Sequence, residues 1–216
     1  MNRLQRGLLL GSVLGGLALV LPLAILVRDE WDPLRRTDNR IEDALDLPAG
    51  WARDLALGVT QLGAPLLLEL AAVVLAVVLF RRGRKRLSGY VLLSVLGAEL
   101  LSFSLKDVVA RIRPCVDTAS CPGTTSFPSG HAVGAAAFWA TLAVVLLPSV
   151  GRRAWWLLVV PPVVALTRVL LGVHYPSDVL AGLVVGGCWA AAWTAVFAAW
   201  REERAGRDIP LEEGVG

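Results

Sequence analysis

Apolar residues occur in six long blocks, separated by polar or charged connections. Each block is close to the roughly 20 residues with which an α-helix crosses a bilayer. The blocks cover residues 8–27, 55–80, 87–105 and 131–147, a fifth opening at Trp155, and 179–200. This pattern predicts an all-α, polytopic membrane protein with six transmembrane helices in one bundle. We expect a single domain over residues 1–200, followed by a charged tail over residues 201–216.

The connections refine this outline. No small-residue cleavage site follows the first block, so it is expected to stay as a helix rather than to be removed as a signal peptide. Residues 28–54 are polar and acid-rich, and two interpretations are open for them: a short amphipathic helix at the membrane interface or a solvated loop. The pair Pro161-Pro162 predicts a kink in the fifth helix.

Composition and charge placement define the class and the orientation. The chain has 216 residues, of which 56% are hydrophobic, and a mean hydropathy of +0.63, which is typical of membrane proteins and excludes an ordinary soluble domain. There is no basic stripe with interleaved aromatics, so nucleic-acid binding has no support. Basic residues concentrate at residues 3–6, 81–86, 152–153 and 201–207. Because cytoplasmic loops are enriched in lysine and arginine, both termini are expected inside.

With this topology, three polar stretches lie together at the outer face, and the first is KDVVARIRP, residues 106–114. If the helix continues, Lys106 and Arg113 lie nearly two turns apart on one face, while Asp107 and Arg111 point away. Two cations on one face of a helix at a membrane surface bind either a dedicated anion or lipid headgroups. This stretch alone does not decide between the two.

The second stretch is SFPSGH, residues 126–131, at the start of the fourth block. Ser129 is suited to cap the helix, and Gly130 leaves the backbone bare. The free N–H groups of a first helical turn form an anion site, and His131 lies within reach of it. The alternative is an ordinary helix cap with a histidine at the interface.

The third stretch is TRVLLGVHYPSD, residues 167–178. Arg168 offers a guanidinium fork that suits phosphate oxygens. Asp178 lies one turn after His174 and can hold one ring nitrogen, which leaves the other free to react. The alternative is a structural ion pair between Arg168 and Asp178.

Together the three stretches bring both histidines of the chain, three cations and a helix N-terminus to one face. Three cations with amide donors match a tetrahedral dianion. A histidine backed by a carboxylate is suited to act as a nucleophile, and a second histidine to act as a general acid. The chemistry indicated is phosphoryl transfer through a phosphohistidine, with no metal or other cofactor required.

The spacings K-x6-RP, PSGH and (S/T)R-x5-H-x3-D occur here in that order. They resemble the three-part signature of the type 2 phosphatidic acid phosphatase family, the membrane lipid phosphate phosphatases, over roughly residues 55–200. Thr167 stands where many members have serine, and it keeps the hydroxyl. The resemblance implies a metal-independent hydrolase. It also implies a role for each motif residue. The phosphoryl oxygens would be bound by Lys106, Arg113, Arg168, Ser129 and Gly130. His131 would protonate the leaving oxygen, and His174, oriented by Asp178, would attack phosphorus.

Two further expectations concern residues near these motifs. Cys115 and Cys121 fall in one short outer loop, where an oxidising environment would allow a disulfide that shortens the connection between the first two motifs. Glu99 lies seven residues before Lys106 on the same helical face. It either steadies that lysine or is a protonated or interhelix-bonded glutamate.

An outward site at a bilayer surface predicts a lipid phosphate substrate from the outer leaflet of a bacterial plasma membrane, with membrane lipids as the surrounding partners. The first expectation is a polyprenyl (undecaprenyl-type) diphosphate, whose hydrolysis recycles the cell-wall lipid carrier. The alternatives are phosphatidylglycerophosphate and phosphatidic acid. A vanadate-dependent haloperoxidase is disfavoured by the membrane blocks. A silent scaffold or transporter is disfavoured because His131, His174 and Asp178 are all present.

Overall fold

The computed structural model describes residues 1–114 and 125–207, with side chains to residue 201. Over these ranges the chain is helical, and the only strand-like pairing is an isolated bridge between Ile112 and Thr125. The α-helices are α1 (Arg3–Arg28), α2 (Asp32–Leu45), α3 (Trp51–Thr60), α4 (Pro65–Arg81), α5 (Lys85–Val109), α6 (Gly130–Val150), α7 (Val160–Leu170) and α8 (Pro176–Arg207). The predicted all-α class is confirmed for this part of the chain.

Five helical segments in the described ranges are long and apolar enough to cross a membrane. The fourth of them, Gly130–Leu170, spans 41 residues and includes a chain reversal. Gly151 ends α6 with a φ of +61°, a 3-10 helix follows over Gly151–Val159, and α7 then packs back against α6. The segment therefore contributes two limbs, which correspond to the fourth and fifth predicted blocks. The multi-pass membrane fold is confirmed, whereas the inward orientation of the termini stays a prediction.

Two of the predicted transmembrane helices differ from the expectation of one regular helix each. The block at residues 55–80 is not one continuous helix, because a 3-10 turn at Gln61–Gly63 separates α3 from α4 and Pro65 opens the new helix. The turn is tightly packed, since a Cβ on Gly63 would lie 2.3 Å from Cγ1 of Val164. In the fifth block, Pro161-Pro162 lie in the first turn of α7. The prolines thus mark the change from 3-10 to α-helix rather than a kink within one helix.

Residues 28–54 contain helix α2 and the start of α3, so the interpretation as a loop is wrong, whereas a position of α2 at the membrane interface stays a prediction. Pro33 lies in the first turn of α2, where its missing N–H costs nothing. The residue that α2 buries most deeply is Asp38, at 2% exposure. A helix that buries a carboxylate must provide that group with partners, and these partners lie at the end of the bundle that carries the three polar stretches.

Helices α6 and α8 pack closely against each other. Gly182 and Gly186 face α6, where a Cβ on Gly182 would lie 2.8 Å from the carbonyl oxygen of Ser129. Small residues spaced four apart let helix backbones approach closely in membranes. This seam brings the start of α6 and the start of α8 together, which places the second and third polar stretches side by side.

Candidate active site

The first motif does not lie on one continuous helix, so the expectation that Lys106 and Arg113 share a helical face is wrong. Helix α5 ends at Val109, and Ala110 adopts a left-handed conformation with a φ of +52°. Lys106 therefore lies in the last turn of α5, where its Nζ donates to the carbonyl oxygen of Pro128 at 2.9 Å. Arg113 lies beyond the helix on an extended segment, and its Nη1 donates to the carbonyl oxygen of Val173 at 3.0 Å. Both cations still reach the second and third motifs.

The second motif opens α6 as expected, but the capping differs in detail. Ser129 occupies the position before the helix, yet its side chain makes no capping hydrogen bond. Its backbone N–H donates to the carbonyl oxygen of Asp178 at 3.0 Å, which ties the starts of α6 and α8 together. Gly130 begins the helix, and His131 follows in the first turn, half-buried. His131 lies within electrostatic range of Lys106, Arg113 and Arg168.

The third motif holds His174 between a guanidinium and a carboxylate. Nδ1 of His174 lies 3.4 Å from Oδ2 of Asp178, and Nε2 lies 2.9 Å from Nη1 of Arg113. A guanidinium can only donate, so Nε2 must accept and the ring proton must sit on Nδ1. The environment thus selects the tautomer with a lone pair on Nε2.

The protonation of His174 follows from the same surroundings. The imidazole is 1% exposed, and burial lowers its pKa to about 4. The carboxylate of Asp178 acts in the opposite direction, while the charges of Arg113 and Arg168 act with burial. The ring is therefore neutral near pH 7, as a nitrogen nucleophile must be.

Arg168 reaches the site from α7 but does not pair with Asp178, so the alternative of a structural ion pair between them is wrong. Its Nη1 donates to Oγ1 of Thr60 at 3.2 Å. Thr60 ends α3 and is 1% exposed. Sequence reasoning missed this threonine, since it lies outside the three motifs and carries no pattern of its own.

The partner of Asp178 is Arg111, which the sequence interpretation placed away from the site. Nη1 of Arg111 lies 2.8 Å from Oδ1 of Asp178, and Nη2 lies 2.8 Å from Oδ2 of Asp38. The guanidinium also stacks 4.0 Å above the ring of Tyr175. Because the helix ends at Val109, Arg111 turns toward the motifs instead of away from them. Asp38 was also missed, and no sequence signal distinguishes it from the other acidic residues of α2.

Comparison with known proteins identifies the family. The family model described as PAP2 superfamily matches residues 87–202, which is more than half of the chain. The chain belongs to the PAP2 superfamily. The resemblance seen in the three motifs is thereby confirmed, and the protein is a membrane lipid phosphatase of the PAP2 type.

Named PAP2 relatives and a solved structure support the same class. Phosphatidylglycerophosphatase B of Bacillus subtilis is 34% identical over 145 residues, covering 63% of this chain and 70% of that protein. Decaprenylphosphoryl-5-phosphoribose phosphatase of Mycobacterium tuberculosis is 38% identical over 96 residues, or 41% of this chain and 49% of the relative. The crystal structure of a transmembrane PAP2-type phosphatidylglycerolphosphate phosphatase from Bacillus subtilis superposes with a TM-score of 0.77 at 25% identity, covering 89% of this chain and 97% of that one.

Three buried donors of the PAP2 motifs have spare hydrogen-bonding capacity. Nε of Arg113, Nε of Arg168 and Oγ of Ser129 are buried without a hydrogen-bond partner in the part of the chain that the structure describes. Buried polar groups are nearly always paired in folded proteins. These unpaired atoms belong to residues that the motifs assign to oxyanion binding, so the arrangement can accept a tetrahedral oxyanion.

The expectations for Glu99 and the cysteines have different outcomes. Oε1 of Glu99 is buried without a hydrogen-bond partner among the described residues, and the hydrogen bond of Lys106 goes to Pro128 instead. Direct pairing of Glu99 with Lys106 is therefore not observed. Cys115 and Cys121 lie outside the described residues, so the proposed disulfide stays a prediction.

Proposed function

We propose that this PAP2 protein hydrolyses the terminal phosphate of a membrane lipid through a phosphohistidine at His174. The observation that carries the proposal is the position of Nε2 of His174, 2.9 Å from the guanidinium of Arg113, with Nδ1 held by Asp178. This arrangement presents a nitrogen lone pair to a group that binds phosphoryl oxygens.

The proposed reaction has two steps. Nε2 of His174 attacks phosphorus, the bond from phosphorus to the lipid oxygen breaks, and His131 donates a proton to the leaving oxygen. Water then attacks the phosphohistidine, His131 accepts its proton, and the bond from phosphorus to nitrogen breaks to release inorganic phosphate. Lys106, Arg113 and Arg168, with the donors of Ser129 and Gly130, stabilise the charge on the phosphoryl oxygens in both steps. The step assignments require no metal ion.

An apolar cavity supports a substrate with a lipid tail. It measures about 430 Å³ and lies between α1, α5 and α8, where its walls include Leu17, Leu105 and Val185. Leu105 directly precedes Lys106. A tail in this cavity and a phosphate at Lys106 would belong to one amphipathic molecule. We propose that the site faces the outer leaflet of a bacterial plasma membrane, with both termini inside, because the basic connections favour that orientation.

The leading substrate candidate is phosphatidylglycerophosphate. The Bacillus subtilis relative named phosphatidylglycerophosphatase B shares the longest of the alignments described, and the superposed crystal structure carries a similar name. The first expectation, a polyprenyl diphosphate, is not singled out by these relatives. A polyprenyl-linked phosphate stays the second candidate, because the mycobacterial relative is named for a decaprenylphosphoryl substrate.

Phosphate release by the purified protein tests both the proposed nucleophile and the proposed substrate. The panel contains phosphatidylglycerophosphate, undecaprenyl diphosphate, decaprenylphosphoryl-5-phosphoribose and phosphatidic acid in one detergent. We expect the highest kcat/KM with phosphatidylglycerophosphate, loss of all release in His174→Ala, and full activity with a chelator. Release by His174→Ala at the wild-type rate would refute the nucleophile, and a different preferred lipid would refute only the substrate assignment.

A further inference from the structure

A buried carboxylate from α2 contacts the start of α8, directly after the loop that carries His174, although α2 lies outside the family match at residues 87–202. We infer that Asp38 and Arg111 are positioning residues, which hold Asp178 in the orientation that directs Nε2 of His174 toward the phosphoryl group. The inference rests on the proposed role of His174 as nucleophile. It adds two residues that none of the three motifs assigns.

Both carboxylate oxygens of Asp38 accept hydrogen bonds, from Ser177 at the start of α8 and from Arg111. Oδ1 accepts from the backbone N–H of Ser177 at 3.0 Å, and Oδ2 accepts from the hydroxyl of Ser177 and from Nη2 of Arg111. The side chain is 3% exposed. An asparagine has one acceptor oxygen in place of two, and its NH₂ group would face a donor. The site is therefore built for a carboxylate.

Arg111 transmits this contact to Asp178. Its Nη1 donates to Oδ1 of Asp178, while Oδ2 of Asp178 accepts from the backbone N–H of Tyr175 at 3.0 Å. The same Oδ2 faces Nδ1 of His174. With both oxygens held, the carboxylate cannot rotate away from the ring. A lysine at position 111 would keep the charge but could not bridge two carboxylates as the guanidinium fork does.

The segment that follows α2, together with the start of α3, holds the beginning of the loop that carries His174. The backbone N–H of Leu47 donates to the carbonyl oxygen of Leu170 at 2.8 Å. Nη2 of Arg53 donates to the carbonyl oxygen of Leu171 at 3.2 Å. The chain around His174 is thus attached before the histidine by Leu47 and Arg53, and after it by Asp38 of α2 through Ser177. Rigid support of this kind keeps a reacting atom in place.

The charges around His174 make the inference testable by pH. His174 faces Asp178 on α8, Arg113 after α5 and Arg168 on α7. His131 on α6 also lies within electrostatic range, and Lys106 on α5 interacts with Asp178. Arg111 offsets the charge of Asp178, and Asp38 offsets the charge of Arg111.

Removing Arg111 or Asp38 should shift the acid limb of activity in opposite directions. Arg111→Gln leaves Asp178 free to stabilise the imidazolium, so the pKa of His174 rises and the acid limb of kcat/KM moves to higher pH. Asp38→Asn leaves the charge of Arg111 unshared, so the acid limb moves to lower pH. A purely structural role would not produce two opposite shifts.

The experiment compares these variants with Asp32→Asn, which changes an exposed aspartate on the same helix that also pairs with two arginines. The substrate is the lipid with the highest wild-type rate, so its own titration is the same throughout. We expect kcat to fall by about 10–100-fold in Asp38→Asn and Arg111→Gln, with KM little changed and opposite pH shifts. Asp32→Asn should match the wild type in kcat, in KM and in the position of the acid limb.

Folding is checked by size-exclusion chromatography and thermal unfolding. If either variant fails to fold, Arg111→Lys takes its place, with a reduced kcat and an unshifted acid limb expected. Wild-type kcat in the folded variants, or shifts of the same sign, would overturn the inference. Failure of the proposed function is distinguishable, because it would appear as activity in His174→Ala whatever the result at Asp38.

Discussion

The seam between α6 and α8 offers the most direct test of how the site is assembled. A Cβ on Gly186 would lie 2.3 Å from the carbonyl oxygen of Val133 and 2.9 Å from Cβ of Ala136, against a limit near 3.0 Å. No side-chain rotation can relieve a contact with backbone. The two helices would have to separate by about 0.7 Å at Val133. Ser129 lies one turn away from that point.

The expected result of Gly186→Ala has a stability part and an activity part. Overpacking of this kind costs about 1–3 kcal/mol, and a backbone clash favours the upper end. Alanine has a higher helix propensity than glycine, which offsets about 0.5–1 kcal/mol of this cost. We therefore expect a net loss of about 2 kcal/mol, which corresponds to a fall in Tm of about 4–8 °C for a chain of this size.

Activity should fall further than stability alone explains, because the seam holds the start of α6, which carries His131, against the start of α8, which directly follows the loop with His174. A misplacement near 1 Å can cost roughly 100-fold, so we expect kcat to fall by about 10–100-fold. The assays are phosphate release and thermal unfolding in the same detergent. Gly187→Ala is the matched control, since a Cβ there meets no atom within 4 Å. If Gly186→Ala behaves like Gly187→Ala, the reasoning is refuted.

Three other predictions concern single groups of the site. Thr60→Val leaves an N–H of Arg168 unpaired, so kcat/KM should fall about tenfold. Thr60→Ser keeps the hydroxyl and should retain the wild-type value. Unchanged kinetics in Thr60→Val would exclude Thr60 as a support of Arg168. Ser129→Ala should lower kcat about 100-fold without changing Tm, because its hydroxyl has no partner in the described protein; a lower Tm at normal kcat would contradict the assignment. The pKa of His174 near 4 predicts that kcat/KM falls as the pH drops through about 4, because protonation removes the lone pair of Nε2. The pH profile is corrected for the titration of the substrate itself. A fall of kcat/KM near pH 6.5 would contradict the buried environment of the ring.

The sequence predicted the class, the family and the motif residues because each of these rests on a strong local pattern. Long apolar blocks have few stable folds outside a bilayer. Lys106, His131 and His174 belong to spacings that a helix start or a helix end can bring to one surface. The prediction failed where the backbone leaves regular geometry. Ala110 in a left-handed conformation cannot be inferred from VVARIRP, since alanine rarely adopts it, and that one residue redirects Arg111.

Long-range partners were beyond the reach of pattern reasoning for a different reason. Asp38 and Thr60 lie 139 and 108 residues from the groups they contact, Ser177 and Arg168. Nothing in the composition of α2 separates Asp38 from its exposed neighbours. Such contacts depend on how the helices pack, which one sequence does not show. The capping prediction for Ser129 was also wrong, because its Oγ is buried without a hydrogen-bond partner among the described residues instead of accepting from the first turn of α6.

The location of Asp38 and Thr60 also bears on how this enzyme could be recombined with its relatives. Both residues lie before residue 87, where the family match begins, yet they contact groups within it. We therefore expect that residues 87–202 do not act as a portable catalytic module. A chimera that joins them to the amino-terminal helices of another PAP2 protein would inherit every motif residue, but would keep working only if the donor also supplied a carboxylate for Arg111 and a hydroxyl for Arg168.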